Sequence, residues 1–281
     1  MDIVETIPAM QSLSDGWIGQ GKTIGLVSTM GALHQGHLSL FNIARQRANV
    51  VVASIFINPL QFGPGEDYDR YPQSFEADKA QCERCGVDVL FAPAKGAFYS
   101  PDHSVFVTEE HLSKGLCGET RPQFFRGVCT AVTKLFHIVQ PHLAVFGQKD
   151  AQQTAVIRKL VRDFNWRIDI LQGSTVREED GLAMSSRNAY LNGEQRVYAS
   201  AIYQSLEKAR DMVEQGIRSV HRLRAEITYI LSRQRDLRVI YVTIVDKDTI
   251  EPMQDKIEPG NTLIALAVWC GQVRLIDNIM V

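Results

Sequence analysis

The sequence has no long apolar run. Its longest, Val50 to Ile57, falls far short of the ~20 residues needed to cross a bilayer. Nor is one sign of charge in excess: 30 Lys and Arg against 32 Asp and Glu leave a formal charge of -2. No global field therefore draws the chain to nucleic acid or to an anionic membrane, and any anion site has to be local. No basic patch with interleaved aromatics is present; RQRA and the run from Arg218 to Arg235 read as solvated helix faces. The opening MDIVETIPAMQSLSDGWIGQ is acidic and polar, without the basic and apolar regions of a signal peptide, which makes a cytoplasmic protein the expectation. Cysteine is sparse and odd in number: five residues, at 82, 85, 117, 129 and 270, leave one unpaired in any full disulfide scheme, as in a reducing compartment. Cys82 and Cys85 form a C-x-x-C without the second ligand pair of a zinc site, and read as two thiols near a helix end. Internal repeats and low-complexity tracts are absent.

What remains is an ordinary globular composition, 45% hydrophobic and 22% charged, in a chain long enough for a full core and two domains. Through the first 175 or so residues, β-rich runs (Thr23 to Ser28, Asn49 to Ile57, Val87 to Phe91, Leu143 to Gly147, Arg167 to Leu171) alternate with stretches of helical spacing. The helical stretches are Leu38 to Ala48, Ser74 to Cys85, Val128 to Val139 and Ala151 to Asp163. Such alternation predicts an α/β fold, a doubly wound, Rossmann-like parallel sheet over residues 1–175. Residues 176–281 change character, with helices over Gln195 to Glu214 and Val220 to Arg233 followed by strands Arg238 to Val245, Thr262 to Trp269 and Val273 to Ile279. They predict a smaller C-terminal α+β domain. Ligands of doubly wound folds bind beyond the carboxyl ends of the strands.

Four segments fall there. STMGALHQGH, Ser28 to His37, follows the first of those predicted strands and opens a helix near His37. A helix start offers free N–H groups and a positive dipole end to a phosphate; Gly31 and Gly36 permit close backbone approach, and His34 and His37 can donate to phosphoryl oxygens. AMSSRN, Ala183 to Asn188, places two hydroxyls beside the Arg187 guanidinium, a combination suited to β- and γ-phosphates. FGQKDAQQ, Phe146 to Gln153, ends a strand and opens a helix, with Lys149 at the strand's carboxyl end and Asp150 as a candidate N-cap. FINPLQFGPGEDYDRYP carries the neutral amides of Asn58 and Gln61, which suit the hydroxyls and carboxylate of a small polar substrate better than a triphosphate.

Together with SIFINPLQF, FRGV, KLFHIVQP, VREEDGLAMSSRN and the closing RLIDN, these blocks resemble the pantoate-β-alanine ligase family of the nucleotidyltransferase superfamily over essentially the whole chain. The resemblance implies a Rossmann-like active-site domain, a C-terminal lid and a homodimer. It further implies ATP-dependent joining of (R)-pantoate to β-alanine with Mg²⁺, through a pantoyl adenylate, releasing AMP and pyrophosphate. Carried over by position, it assigns Met30, Gly31, Ala32, Leu33, His34, Gln35, Gly36 and His37 to ATP, with His34 and His37 beside the α-phosphate and His37 in the proton-donor role. Gly147, Gln148, Lys149 and Asp150, Val176, and Met184, Ser185, Ser186 and Arg187 match the other nucleotide segments. Gln61 and Gln153 match the pantoate-binding glutamines, with Asn58 close by, and Asp78 aligns with an acidic position linked to magnesium.

Two positions depart from the family pattern, Ser28 in place of proline and Gln148 in place of glutamate. Both bear on nucleotide affinity rather than on the reacting groups. The competing readings are a nucleotidylyltransferase acting on a phosphorylated small molecule, which leaves the amide-rich Asn58 and Gln61 loop unexplained, and a non-catalytic nucleotide-binding module, which would not need the histidines or Lys149.

Overall fold

A computed structural model describes residues 1–281. Its larger sheet has six strands, β1 (Asp2–Val4), β2 (Ile24–Thr29), β3 (Val50–Ile55), β4 (Val89–Phe91), β5 (Leu143–Gly147) and β6 (Asp169–Gly173). They lie in the order β1-β4-β3-β2-β5-β6, every pairing parallel. The main helices around it are α1 (Ile7–Gly19), α2 (Gln35–Arg45), α3 (Phe75–Arg84), α4 (Phe124–Val139) and α5 (Ala151–Asp163). Beyond them come α6 (Gly193–Glu214) and α7 (Val220–Ser232), then an antiparallel sheet of β7 (Leu237–Asp246), β8 (Thr262–Cys270) and β9 (Val273–Met280).

The central strands read as continuous apolar runs because both faces of the parallel sheet are covered. Alternate residues serve opposite layers: Ile24, Leu26, Val50 and Val52 pack with Met10 of α1 and Val128 and Leu135 of α4. Val27, Val51 and Ala53 pack with Leu40 and Phe41 of α2 and Cys82 of α3. The antiparallel sheet buries Ile244, Ile264 and Leu266 against Ile202 and Leu206 of α6 and Leu223 and Ile227 of α7. A fourth cluster fastens the two sheets: Phe125 and Cys129 of α4 and Val156 of α5 meet Val245, Leu263 and Ala265.

The observed α/β architecture agrees with the doubly wound sheet and α+β appendage expected from the sequence. Boundaries differ by a few residues: α4 begins at Phe124 rather than Val128, and β6 runs from Asp169 to Gly173 rather than Arg167 to Leu171. The sequence pattern left β1 and α1 unassigned. Strand β1 is three residues of which only Val4 is buried, and α1 buries only Met10 and Ser14, so neither carries a strong period. All five cysteines are free thiols, and Cys82 packs as a small apolar side chain beneath the sheet.

From β2 the chain winds outward through β3 and β4, then returns to the other side of β2 to lay down β5 and β6. The winding reverses between β2 and β5, and at such a switch point the connections leave in opposite directions and open a crevice.

Candidate active site

A cavity of about 940 Å³ opens at this crevice and extends toward the antiparallel sheet. Its floor explains the H-x-G-H spacing. His34 is the N-cap of α2 and His37 its third residue. The His34 ring accepts the Gly36 N–H through Nδ1 at 3.2 Å, and the His37 ring accepts the His34 N–H through Nδ1 at 3.2 Å. This is a capping box built from imidazoles, in which each ring satisfies a backbone donor that a helix start leaves unpaired. A Cβ on residue 36 would lie 2.9 Å from the His34 ring, so glycine is required for the ring to fold over its own turn. With both Nδ1 atoms accepting, each neutral ring carries its proton on Nε2. The pair thus presents two N–H donors side by side at the start of the helix, with ring centroids 4.1 Å apart.

Burial sets their charge. Desolvation, aided by the Lys149 cation and opposed by Glu178, lowers His34 to about 4. Desolvation, aided by His34 and Lys149, lowers His37 to about 3. A histidine depressed in the folded state stabilises the fold fully above its unfolded value near 6.5, and that contribution is lost as the pH falls through the folded values. Both rings are therefore neutral donors at physiological pH. The imidazole ¹⁵N resonances of His34 and His37 are expected to hold their neutral Nε2–H pattern from pH 8 down to pH 5; titration of either ring near pH 6.5 would contradict this account.

The preceding turn needs a different support. Gly31 and Ala32 both have positive φ, 84° and 50°, and Asp78 on α3 secures them by accepting the Ala32 N–H at 2.9 Å and the Leu33 N–H at 2.8 Å. Its carboxylate also accepts the Ser74 hydroxyl and is 1% exposed. Asp78 does not border the cavity, and no group of three or more His, Cys, Asp and Glu that could hold a metal occurs in the chain. Asp78 thus fits a backbone anchor and does not fit a resident magnesium ligand.

Of the residues expected at the nucleotide, Met30, His34, Gly36 and His37 border the cavity from β2 and α2, and Gly147, Lys149 and Asp150 from the end of β5. Val176, Met184, Ser185, Ser186 and Arg187 border it from the connection after β6. Gly31, Ala32, Leu33, Gln35 and Gln148 do not: they shape the turns that carry their neighbours. Lys149 is half-buried; its ammonium donates to the Met184 carbonyl at 3.1 Å and is lowered from its ordinary range by desolvation.

Gln61 and Gln153 also face the cavity. Asn58 borders it, but its amide is committed to the protein: Nδ2 donates to Gln61 Oε1 and to the Gly127 carbonyl, both at 3.0 Å, and Oδ1 accepts from Leu60 and Tyr99. It orients Gln61. Gly127 is the glycine of FRGV, and a Cβ there would sit 2.3 Å from the Leu60 carbonyl oxygen. That contact explains why the block contains glycine.

Sequence reasoning passed over the strap between Gly63 and Tyr71. Glu66 receives a two-pronged bond from Arg121 at 2.7 and 2.6 Å, and Asp67 one from Arg187 at 2.9 and 2.9 Å. Tyr71 and Ser186 share a hydroxyl contact at 2.9 Å, and Tyr190 donates to the Arg70 carbonyl. The acidic pair in GPGEDYDRY was its only signal, because the arginine partners lie 55 and 120 residues away.

The family model described as pantoate-beta-alanine ligase matches residues 2–280. The chain is 51% identical over 278 residues to a pantothenate synthetase of Thermotoga petrophila, covering 99% of each. Its structure resembles that of the pantothenate synthetase from Thermus thermophilus with a TM-score of 0.94 at 40% identity, covering 100% of this chain and 99% of that one. It also resembles the pantoate-beta-alanine ligase from Francisella tularensis complexed with beta-gamma ATP and beta-alanine, with a TM-score of 0.82, 32% identity, and coverage of 100% and 97%. With the family model spanning nearly its whole length and half its residues identical to a curated relative, the chain belongs to the pantoate-β-alanine ligase family.

Proposed function

We propose that the cavity joins (R)-pantoate to β-alanine at the expense of ATP, by way of pantoyl adenylate. The observation that carries this reading is the histidine pair, two neutral imidazoles whose free Nε2–H donors belong to the cavity that Lys149, Ser185, Ser186 and Arg187 also border.

A carboxylate acylates poorly because its leaving group would be oxide. Pantoate, oriented by Gln61 and Gln153, first attacks the α-phosphorus of ATP; an O–P bond forms, the bond to the bridging oxygen breaks, and pyrophosphate departs. His34 and His37 donate to the α-phosphoryl oxygens as charge builds there, and Lys149 adds a cation in a water-poor setting where it acts strongly. Ser185, Ser186 and Arg187 hold the departing pyrophosphate. Because both rings are neutral before ATP binds, His37 meets the nucleotide as a hydrogen-bond donor through Nε2–H. The neutral amine of β-alanine then attacks the mixed anhydride, the C–N bond forms, and AMP leaves.

Magnesium belongs to this scheme as the counter-ion that ATP brings; no group of three or more His, Cys, Asp and Glu gathers to hold it as a resident ion. Residues 176–281 serve as a lid that shields the adenylate from water. No helix is long and apolar enough to cross a membrane, and the reading places a homodimer in the cytoplasm, acting on small molecules without nucleic-acid or membrane partners.

Exchange of labelled pyrophosphate into ATP, with Mg²⁺ and pantoate present and β-alanine omitted, isolates the first half-reaction. Exchange that depends on pantoate is the expected result. Absence of exchange from protein that still binds ATP would overturn the ligase reading.

A further inference from the structure

The RLIDN block near the end of the chain has no role in the scheme above, yet the structure brings it to the site. Asp277 and Asn278 lie on β9, both nearly inaccessible. Asn278 Nδ2 donates to two successive carbonyls of the turn after β5, Gln148 at 3.0 Å and Lys149 at 2.9 Å. Asp277 accepts both prongs of Arg177, at 2.6 and 3.0 Å, and also the Asn278 N–H at 2.8 Å. Arg177 in turn pairs with Ala183 across a hairpin in the connection after β6, where the Met184 N–H reaches the Val176 carbonyl at 3.0 Å. Lys149 closes the ring through its own side chain by donating to the Met184 carbonyl.

Three segments distant in sequence thus form one hydrogen-bonded circuit with Lys149 inside it. The chemistry at residue 278 is restrictive. Two carbonyls require two donors from one group, which an amide, an ammonium or a guanidinium can supply; a cation in that place would repel the Lys149 ammonium, so the neutral amide is the group that fits. Its Oδ1 is buried without a partner, and a broken local rule of this kind is characteristic of functional positions rather than of optimised packing. The contact uses the Gln148 carbonyl, so the family's glutamate at that position would leave it intact.

We propose that Asp277 and Asn278 are positioning residues for adenylyl transfer: through the Gln148 and Lys149 carbonyls and the Arg177 hairpin they fix where the Lys149 ammonium meets the nucleotide phosphates. The proposal rests on the role given to Lys149 in the reaction. It makes the antiparallel sheet a structural part of the nucleotide site in addition to a cover.

The test is a double-mutant cycle between Asn278→Ala and Lys149→Met, read as the affinity for ATP with Mg²⁺ by calorimetry, which works for inactive protein. Asn278→Ala is expected to weaken ATP binding roughly tenfold and to lower pantoate-dependent pyrophosphate exchange by about 10²-fold, with a thermal transition within a few degrees of the parent. In the Lys149→Met background the same substitution should change ATP affinity by less than about twofold, because residues acting as a unit are not additive. A full tenfold loss in both backgrounds would show that Asn278 merely supports the fold, and would overturn the proposal while leaving Lys149 in its role. ATP affinity and exchange near the parent values for Lys149→Met alone would instead remove Lys149 from the reaction and the proposal with it. If Asn278→Ala does not fold, the neutral Asn278→Leu, which keeps the side-chain volume and lacks the two donors, takes its place in the same cycle.

Discussion

Replacing His37 by alanine is expected to lower pantoate-dependent pyrophosphate exchange by about 10²- to 10³-fold, the range seen when one preorganised donor to a developing oxyanion is removed, while the protein remains folded. The structural cost is limited. The substitution deletes the acceptor for the His34 N–H at 3.2 Å, which is half of a capping box worth about 1 kcal/mol, and the rest of α2 keeps its buried Leu40, Phe41 and Ala44. Its thermal transition should fall by only a few degrees. His37→Gln, which restores a neutral N–H donor, should recover part of the lost exchange if donation is what matters, whereas an imidazolium acid could not be replaced in that way. Exchange within tenfold of the parent in His37→Ala would remove His37 from the transition state.

The second large effect is on stability. Arg177→Ala leaves the Asp277 carboxylate, 1% exposed at its side chain, with the Asn278 N–H as its remaining donor. Removing one partner from a buried ion pair costs about 3–5 kcal/mol, so a loss of that size is expected from urea unfolding at pH 7. Burial already pushes the Asp277 carboxyl above the ordinary carboxylate range, and the Arg177 guanidinium opposes that rise. Without Arg177 it rises further. A carboxyl raised in the folded state stabilises least at high pH, because its contribution is present below the unfolded value near 3.9 and disappears as the pH climbs through the folded value. The deficit of Arg177→Ala should therefore be smaller at pH 5 than at pH 8. A deficit independent of pH would assign the loss to the guanidinium's stacking on the Tyr203 ring, 3.8 Å from its centroid.

The sequence made the parallel core legible because strands buried on both faces need unbroken apolar runs, and NVVVASIFI or LAVFG admit few other uses. The segments bordering the cavity were legible for a related reason: each sits at a strand end, where glycines, hydroxyls and cations interrupt the apolar pattern. The roles of individual side chains were less accessible. Asn58 and Asp78 have residue types suited to a substrate and a cation, yet one orients Gln61 and the other secures the Gly31 turn. A residue type states what a group can bind, while its commitments depend on backbone groups placed by the fold, a donor 46 residues away for Asp78 and the Gly127 carbonyl acceptor 69 residues away for Asn58. Arg121, Glu66, Asp67, Asp277 and Asn278 escaped for the same reason, since their ion pairs and side-chain bonds to the site cross between elements.

The circuit around Lys149 also bears on the order in which the molecule assembles. Contacts such as Thr29 to the Ser54 carbonyl close a loop of 25 residues, whereas Arg177 to Asp277 spans 100 and Asn278 to Gln148 spans 130. Long loops are slow to close because their entropy is lost before any contact rewards it. The central pairing of β2 with β5 closes a loop of 118 residues as well, so the parallel sheet and the surroundings of Lys149 are expected to form together, and tight ATP binding should return with the secondary structure rather than before it.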